Sequence, residues 1–452
     1  MSGLPPIDID PHVHYPEGRA RAWIAWSIPG LFFLYEFMIR VLPGVIEKPL
    51  QQELGVSAGD IGLSMSFYYY AYGPMQIVVG LLLDKLGARG PLTVAALVCS
   101  VGALTFAAGT SLTGLGAGRF LMGFGSAFAY VGTVYIATIW FPGRRVAMIS
   151  GLTVTLGMLG AITAESMLEF LLEKTSWQHV MYGFAGAGVV LAVLLAIMVP
   201  NRPQWFKERI RQSTSHGGRV STLACLKQVL TNRQTLLLGL ITGLVYLPVG
   251  TFAAFWGFRY LNTVLHIDHK EDGPFVSIIF LGLAAGGPLV GWLSDTTGRR
   301  KFFLVIGTAV GVISTGSLLL LPPGMNWLLM INLGVIGLVV SILVVAFPMA
   351  MEQNPCYARG TALTFVNLTQ MVFAGTGQWV VGMLLDARTS GSAGEQEFTA
   401  GEFKTAFVLL PASMLVAFFL SLFLREPNSR GTGGAPAGAA AGPESTESCL
   451  RG

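Results

Sequence analysis

The sequence predicts an all-α, polytopic membrane protein with twelve transmembrane helices in two pseudo-symmetric six-helix bundles. Three observations carry that expectation. Of 452 residues, 53% are hydrophobic and only 12% are charged, whereas a soluble domain needs roughly 25% charged residues to cover its surface. Apolar runs of about 20 residues, enough to cross the hydrocarbon of a bilayer, recur along the chain. Polar motifs in the first half return in the second at nearly constant spacing.

The runs are 23–46, 61–83, 91–108, 112–141, 146–172 and 180–199, then 236–261, 274–293, 302–321, 327–351, 362–385 and 403–424. The expected divisions are a polar N-terminal tail (1–18), a first bundle (19–200), a basic central loop (201–233), a second bundle (234–425) and a C-terminal tail (426–452). The last is rich in Gly, Ala, Ser and Pro and reads as disordered. The 57 glycines fit helices that pack backbone against backbone. The first apolar stretch is too long for the core of a cleavable signal peptide.

Orientation follows from the basic residues. With the N-terminus inside, 20 of the 28 Lys and Arg fall on the cytoplasmic side and five outside. Both termini are therefore expected in the cytoplasm, in a cell membrane of the bacterial inner-membrane type. The net charge of +4 lies between apolar runs rather than on a soluble face, so a nucleic-acid partner is not expected. Cys99, Cys225, Cys356 and Cys449 are widely separated, which gives neither a zinc nor a CxxC pattern. No Walker sequence is present, the Gly-x-Gly runs near Gly114 and Gly123 lack a flanking strand, and the loop from His266 to Asp272 reads as solvated. No cofactor or metal is expected.

The repeat is specific. Gly80-Leu-Leu-Leu-Asp84-Lys-Leu-Gly-Ala-Arg89 follows the second run, and Gly291-Trp-Leu-Ser-Asp295-Thr-Thr-Gly-Arg299-Arg300 follows the eighth, 211 residues later. Arg145 after the fourth run is matched by Arg359 after the tenth, at an offset of 214. Duplicated halves of this kind are typical of transporters. The GxxxDxxGxR element resembles the signature loop of the major facilitator superfamily, and Arg119-Phe-Leu-Met-Gly123 resembles its RxxxG motif. The resemblance implies that helices one, four, seven and ten line a cavity opened alternately to either side. More narrowly, 68–89 and 118–125 look like the lysosomal dipeptide transporter family and its bacterial relatives. Helix one, with Arg40, looks like that of organic-anion symporters.

Charges inside a bilayer are costly, so each is a functional candidate. Helix rise places Arg40, Arg119 and Glu165 at a similar depth in the outer half of the first bundle, and Glu36 lies one turn from Arg40. Arg40 and Arg119 are candidate ligands for a carboxylate or phosphate ester through two-donor forks. Glu165, with Glu36 as alternative, is the candidate proton-coupling group. Pairing among these charges to hold helices together is the competing reading. Tyr246, Asn367 and Gln370 are neutral candidates for substrate contact, and interhelical hydrogen bonding is their alternative. Of Tyr68, Tyr69, Tyr70 and Tyr72, at most two are expected to face a cavity. Arg259 is expected to snorkel to headgroups. Gly80, Asp84, Arg89, Arg145, Gly291, Asp295, Arg299 and Arg359 form a candidate cytoplasmic gate, in which the acids pair with the loop arginines.

The expected function is secondary active transport of a small organic anion with protons, by a monomer in a lipid bilayer. A dipeptide or amino-acid carrier is the alternative within transport, and a non-transporting sensor the alternative outside it. No enzyme is expected, because no nucleophile–base pair is present.

Overall fold

In hydrocarbon a chain must satisfy its backbone polar groups internally, and helices do so within a single segment. The computed structural model describes residues 19–141, 143–200, 222–268, 272–388 and 398–426. Among them, twelve long helical elements follow one another: α1 (Arg19–Leu54), α2 (Ala58–Leu86), α3 (Arg89–Ala107), α4 (Leu112–Trp140), α5 (Gly143–Leu172) and α6 (Trp177–Met198). After a short helix, Thr222–Thr231, come α7 (Arg233–Leu265), α8 (Asp272–Thr297), α9 (Arg300–Leu320), α10 (Asn326–Glu352), α11 (Arg359–Asp386) and α12 (Ala400–Leu422). All but α2 and α5 are long and apolar enough, over their described residues, to cross a membrane.

The starts are written locally. Ser57, Ser111 and Asn232 cap α2, α4 and α7 through side-chain oxygens that accept from N–H groups of the first turn. Thr399 and Glu402 form a reciprocal capping box at α12. The middle of α7 departs from α geometry. From Pro248 to Trp256 it is a π-helix, and Gly257 N–H bonds to Phe252 C=O, five residues back.

Two bundles result. In the first, α1 packs on α4, α5 and α6, α2 on α4, and α3 on α4 and α6. In the second, α7 packs on α11 and α12, α8 on α10, and α9 on α10 and α12. Contacts of α2 with α11, α5 with α8, and α1 with α7 join the bundles. Ile197, Ile313, Leu320 and Phe423 are exposed, as lipid-facing positions should be.

The duplication is visible in the packing. A Cβ on Gly123 would lie 2.0 Å from Tyr68 C=O oxygen, and one on Gly337 would lie 2.1 Å from Ile279 C=O oxygen. Gly123 and Gly337 are 214 residues apart, and Tyr68 and Ile279 are 211 apart. The same backbone approach therefore occurs between α2 and α4 as between α8 and α10. Only glycine permits it, and such close approach is how membrane helices gain packing energy.

Candidate transport site between the bundles

The approach at Gly123 sets the position of Tyr68, and Tyr68 organises the charged cluster. Its hydroxyl donates to Glu36 Oε1 at 2.5 Å and accepts from Arg40 Nε at 3.4 Å. Arg40 Nη2 also pairs with the same Glu36 oxygen, as the i, i+4 spacing on α1 allows. The Arg40 guanidinium lies 4.5 Å from the Phe37 ring centre and 4.9 Å from that of Tyr72. From the other bundle, Tyr246 of α7 comes within electrostatic reach of Arg40. Glu36 is fully buried, and its Oε2 has no hydrogen-bond partner.

Arg119 does something different. Its Nη1 donates to Ile39 C=O of α1 at 2.9 Å, and its Nε to Met65 C=O of α2 at 3.4 Å. Its guanidinium carbon sits 4.5 Å from the centre of the Tyr68 ring. With 1% exposure, this side chain is a clasp binding α1, α2 and α4. Two of its nitrogens bond helix carbonyls, and one face of the guanidinium lies toward a ring.

The second bundle supplies neutral polar groups. Gly250 packs on Ala374, whose Cβ would lie 2.4 Å from a Cβ on the glycine. One turn earlier on each helix stand Tyr246 and Gln370, so this register brings them to one level. Gln370 is buried with Nε2 unpartnered, and Asn367 is half-buried one turn before it. Gln378 Nε2 donates to Gly250 C=O at 2.8 Å, and Gln378 C=O accepts from Trp256 Nε1 at 2.9 Å. These bonds tie α11 to the π segment.

The bundles meet tightly at one end. Arg259 of α7 pairs with Glu47 of α1 at 2.6 Å and also bonds Gln51. It therefore bridges the two bundles, in place of the headgroup position expected from its depth. A Cβ on Gly382 would lie 2.3 Å from Ala58 C=O oxygen. At the opposite end two glycines of the repeated motif are uncrowded. A Cβ on Gly80 would meet no atom within 4 Å, and one on Gly291 only Val344, at 3.5 Å. Asp295 is 73% exposed and 3.8 Å from Arg300, which bonds Glu352 at 2.7 Å. Arg299 and Arg359 are exposed, and Arg89 and Arg145 half-exposed. The side chains of Asp84 and Glu165 lie outside the described residues.

Thus Arg40, Glu36 and Tyr246 converge, Arg119 supports them from behind, and Gln370 lies at the level of Tyr246. The described residues of the candidate gate lie at the end opposite Arg259. Sequence reasoning assigns Tyr68 no such role. The rings of the tyrosine run beyond the two that could face a cavity are expected toward lipid or the interface, whereas Tyr68, Tyr69 and Tyr72 are all buried, and Tyr70 meets Thr376 at 3.3 Å. The cause is that α2 is enclosed by α4 on one side and α11 on the other. The i, i+4 spacing of Tyr68 and Tyr72 is the available signal, since both lie on the face toward Arg40.

The family model of the Major Facilitator Superfamily matches residues 30–377 and again 238–447. This chain belongs to that superfamily. It is a multi-pass membrane transporter of small molecules and not an enzyme. The chain is 25% identical over 430 residues to an uncharacterized transporter of Bacillus subtilis, YybO, covering 89% of this chain and 94% of the other. A second Bacillus subtilis protein, described as a probable galactarate/D-glucarate transporter, is 25% identical over 66% of this chain and 70% of its own length. The human lysosomal dipeptide transporter MFSD1 is 22% identical over 79% of this chain and 78% of its own. Among solved structures, a point mutant of the nucleoside transporter NupG superposes with a TM-score of 0.73 at 14% identity, covering 89% of this chain and 99% of that one.

Proposed function

We propose that this transporter carries a small organic anion together with protons, as a monomer in a bacterial inner membrane, with both termini in the cytoplasm. The carrying observation is the Glu36–Arg40 pair, buried between the bundles with one carboxylate oxygen unpartnered. An arriving carboxylate or phosphate ester competes with Glu36 for the Arg40 fork. Glu36 then loses its cation in a buried site, and a proton takes the cation's place. Anion and proton bind with positive coupling, which is what symport requires. Glu165 of α5 stands as the second candidate for the same proton. The Asp84, Asp295 and arginine loops form the cytoplasmic gate, so the end that holds Gly80 and Gly291 faces the cytoplasm. Galactarate/D-glucarate as the named substrate of a relative supports an anion.

The test is reconstitution. Glu36→Gln protein should still exchange substrate across vesicles and lose acceleration by an inward proton gradient. Gradient-driven accumulation by this variant would remove Glu36 from coupling, leaving Glu165→Gln as the decisive variant. A dipeptide carrier is the second reading. It is favoured by the likeness to MFSD1 and by adjacent opposite charges that suit a zwitterion's two ends.

A further inference from the structure

We infer that the Tyr68 hydroxyl is a hydrogen-bond switch, serving Glu36 while the site is empty and the substrate anion once a proton has arrived. The inference rests on the anion reading above and adds to it a substrate contact and a coupling step. Tyr68 touches each described charge of the cluster. Its hydroxyl donates to Glu36 Oε1 at 2.5 Å and accepts from Arg40 Nε at 3.4 Å. Its ring centre lies 4.5 Å from the guanidinium carbon of Arg119. That second cation is held by the carbonyls of Ile39 and Met65. Its charge acts on the phenol in both states and does not choose between acceptors.

The hydroxyl is not what keeps Tyr68 in place. Its ring lies against Arg119 and stacks on Tyr72 at 6.1 Å between centres, and its backbone carbonyl is set by the approach of Gly123. A phenol has one hydrogen to give, while its oxygen can also accept. Nε and Nη2 form one edge of the Arg40 guanidinium, and the Tyr68 oxygen and Glu36 Oε1 fill that edge. A carboxylate that takes this edge displaces Glu36 from Nη2 and stands beside the phenol. Two anions then face one O–H. While Glu36 is ionised it keeps that hydrogen. A proton from solution turns the Glu36 carboxyl into a donor, which bonds to the Tyr68 oxygen and lets the phenol O–H turn to the ligand. No proton leaves Tyr68; only the direction of its O–H changes. Proton and anion each strengthen the binding of the other.

Tyr68 is singled out among the ionisable groups around Glu36. Besides Arg40 and Tyr68, these are Tyr69 and Tyr72 of α2, Cys99 of α3, Arg119 of α4 and Tyr246 of α7. On α6, Tyr182 is exposed and His179 lies in the first turn. The side chains of Glu165 and Glu169 on α5 lie outside the described residues. Among the described side chains, Arg40 and Tyr68 alone hydrogen-bond Glu36.

The experiment uses full-length protein with D-glucarate, tartrate, D-gluconate and lactate as probes, whose carboxylates stay ionised above about pH 5. Any pH dependence above that point belongs to the protein. Tyr68→Phe keeps the ring against Arg119 and should melt close to the parent. It should weaken the tightest acid by about ten-fold at acid pH and leave it unchanged at alkaline pH, where Glu36 holds the hydroxyl. In a Glu36→Gln background, Tyr68→Phe should cost about ten-fold at both, because a neutral carboxamide leaves the hydroxyl to the ligand. In the parent background, equal losses at both pH values, or none at either, overturn the switch. Infrared difference spectra of the unmutated protein give a second reading. Ligand should raise a protonated-carboxyl band, absent from Glu36→Gln, together with a shift of a tyrosine C–O band. A carboxyl band that persists in Glu36→Gln, or one without the tyrosine shift, also overturns the switch. If no acid binds, or Arg40→Lys leaves affinity unaltered, the anion reading itself falls and the switch with it.

Discussion

The Asp386 carboxylate of α11 caps α2 from the opposite bundle, accepting from Ala58 N–H at 2.9 Å and from Gly59 N–H at 2.6 Å. First-turn N–H groups have no partner within their own helix, and the helix dipole favours a negative charge there. The cap must break whenever this end of the transporter opens, so it holds the closed arrangement. Asp386→Ala should remove about 1 kcal/mol from that arrangement. The measurable consequence is faster alkylation of a cysteine at Ser66, whose hydroxyl donates to Gly375 C=O across the same interface at 2.6 Å. An unchanged alkylation rate would show that the cap does not bias the equilibrium.

The Glu47–Arg259 pair crosses the bundles at the same end. Glu47→Arg or Arg259→Glu alone places like charges together in a buried setting and should slow transport by about ten-fold or more. The double reversal restores opposite charges and should recover most of the rate. Additive loss in the double variant would mean that the two residues act separately.

Glycines offer a contrast in stability. Gly123→Ala drives a Cβ into the Tyr68 carbonyl, against backbone that cannot yield, and should cost about 1–3 kcal/mol or more. Gly337→Ala should behave alike, because it makes the same contact in the second bundle. Gly80→Ala meets nothing in this arrangement and should melt within about 1 kcal/mol of the parent, on the stable side. Its effect should appear in transport rate, once that end closes. Equal melting temperatures for Gly123→Ala and the parent would overturn the packing account.

The two central arginines should separate by phenotype. Arg119→Lys loses the geometry that reaches Ile39 and Met65 together, so it should lower thermal stability by about 1–3 kcal/mol with the ligand ranking kept. Arg40→Lys should preserve more stability and weaken ligand binding by about ten-fold, since an ammonium cannot present a planar fork. A changed ligand ranking in Arg119→Lys would return Arg119 to the substrate.

Much of this is legible in the residues. Length and polarity mark the membrane runs, and the repeat offsets anticipate the matched Gly123 and Gly337 contacts. The four-residue spacing of Glu36 and Arg40 puts the pair on one face of α1. What escapes has a common origin in contacts between positions remote in sequence. Nothing near Arg119 announces that its partners are carbonyls on α1 and α2. Nothing near Arg259 points to Glu47, 212 residues earlier. Depth along a helix is readable from rise per residue, but the direction a side chain faces depends on which neighbours enclose the helix. That is why the tyrosine run is more buried than its sequence alone suggests.

The π segment of α7 has a torsional consequence. Tyr246 precedes it and Arg259 follows it, so the two ends of this helix are joined by a stretch wound one residue looser per turn. Tightening one such turn to α geometry would spin everything beyond it by about 100°, the angular share of one residue. Arg259 would swing off Glu47 while Tyr246 kept its place beside Arg40. The helix can thus act as a screw, turning a change at the ligand into rotation at the far seal. Distance labels on the Arg259 turn and on α1 would read that rotation directly.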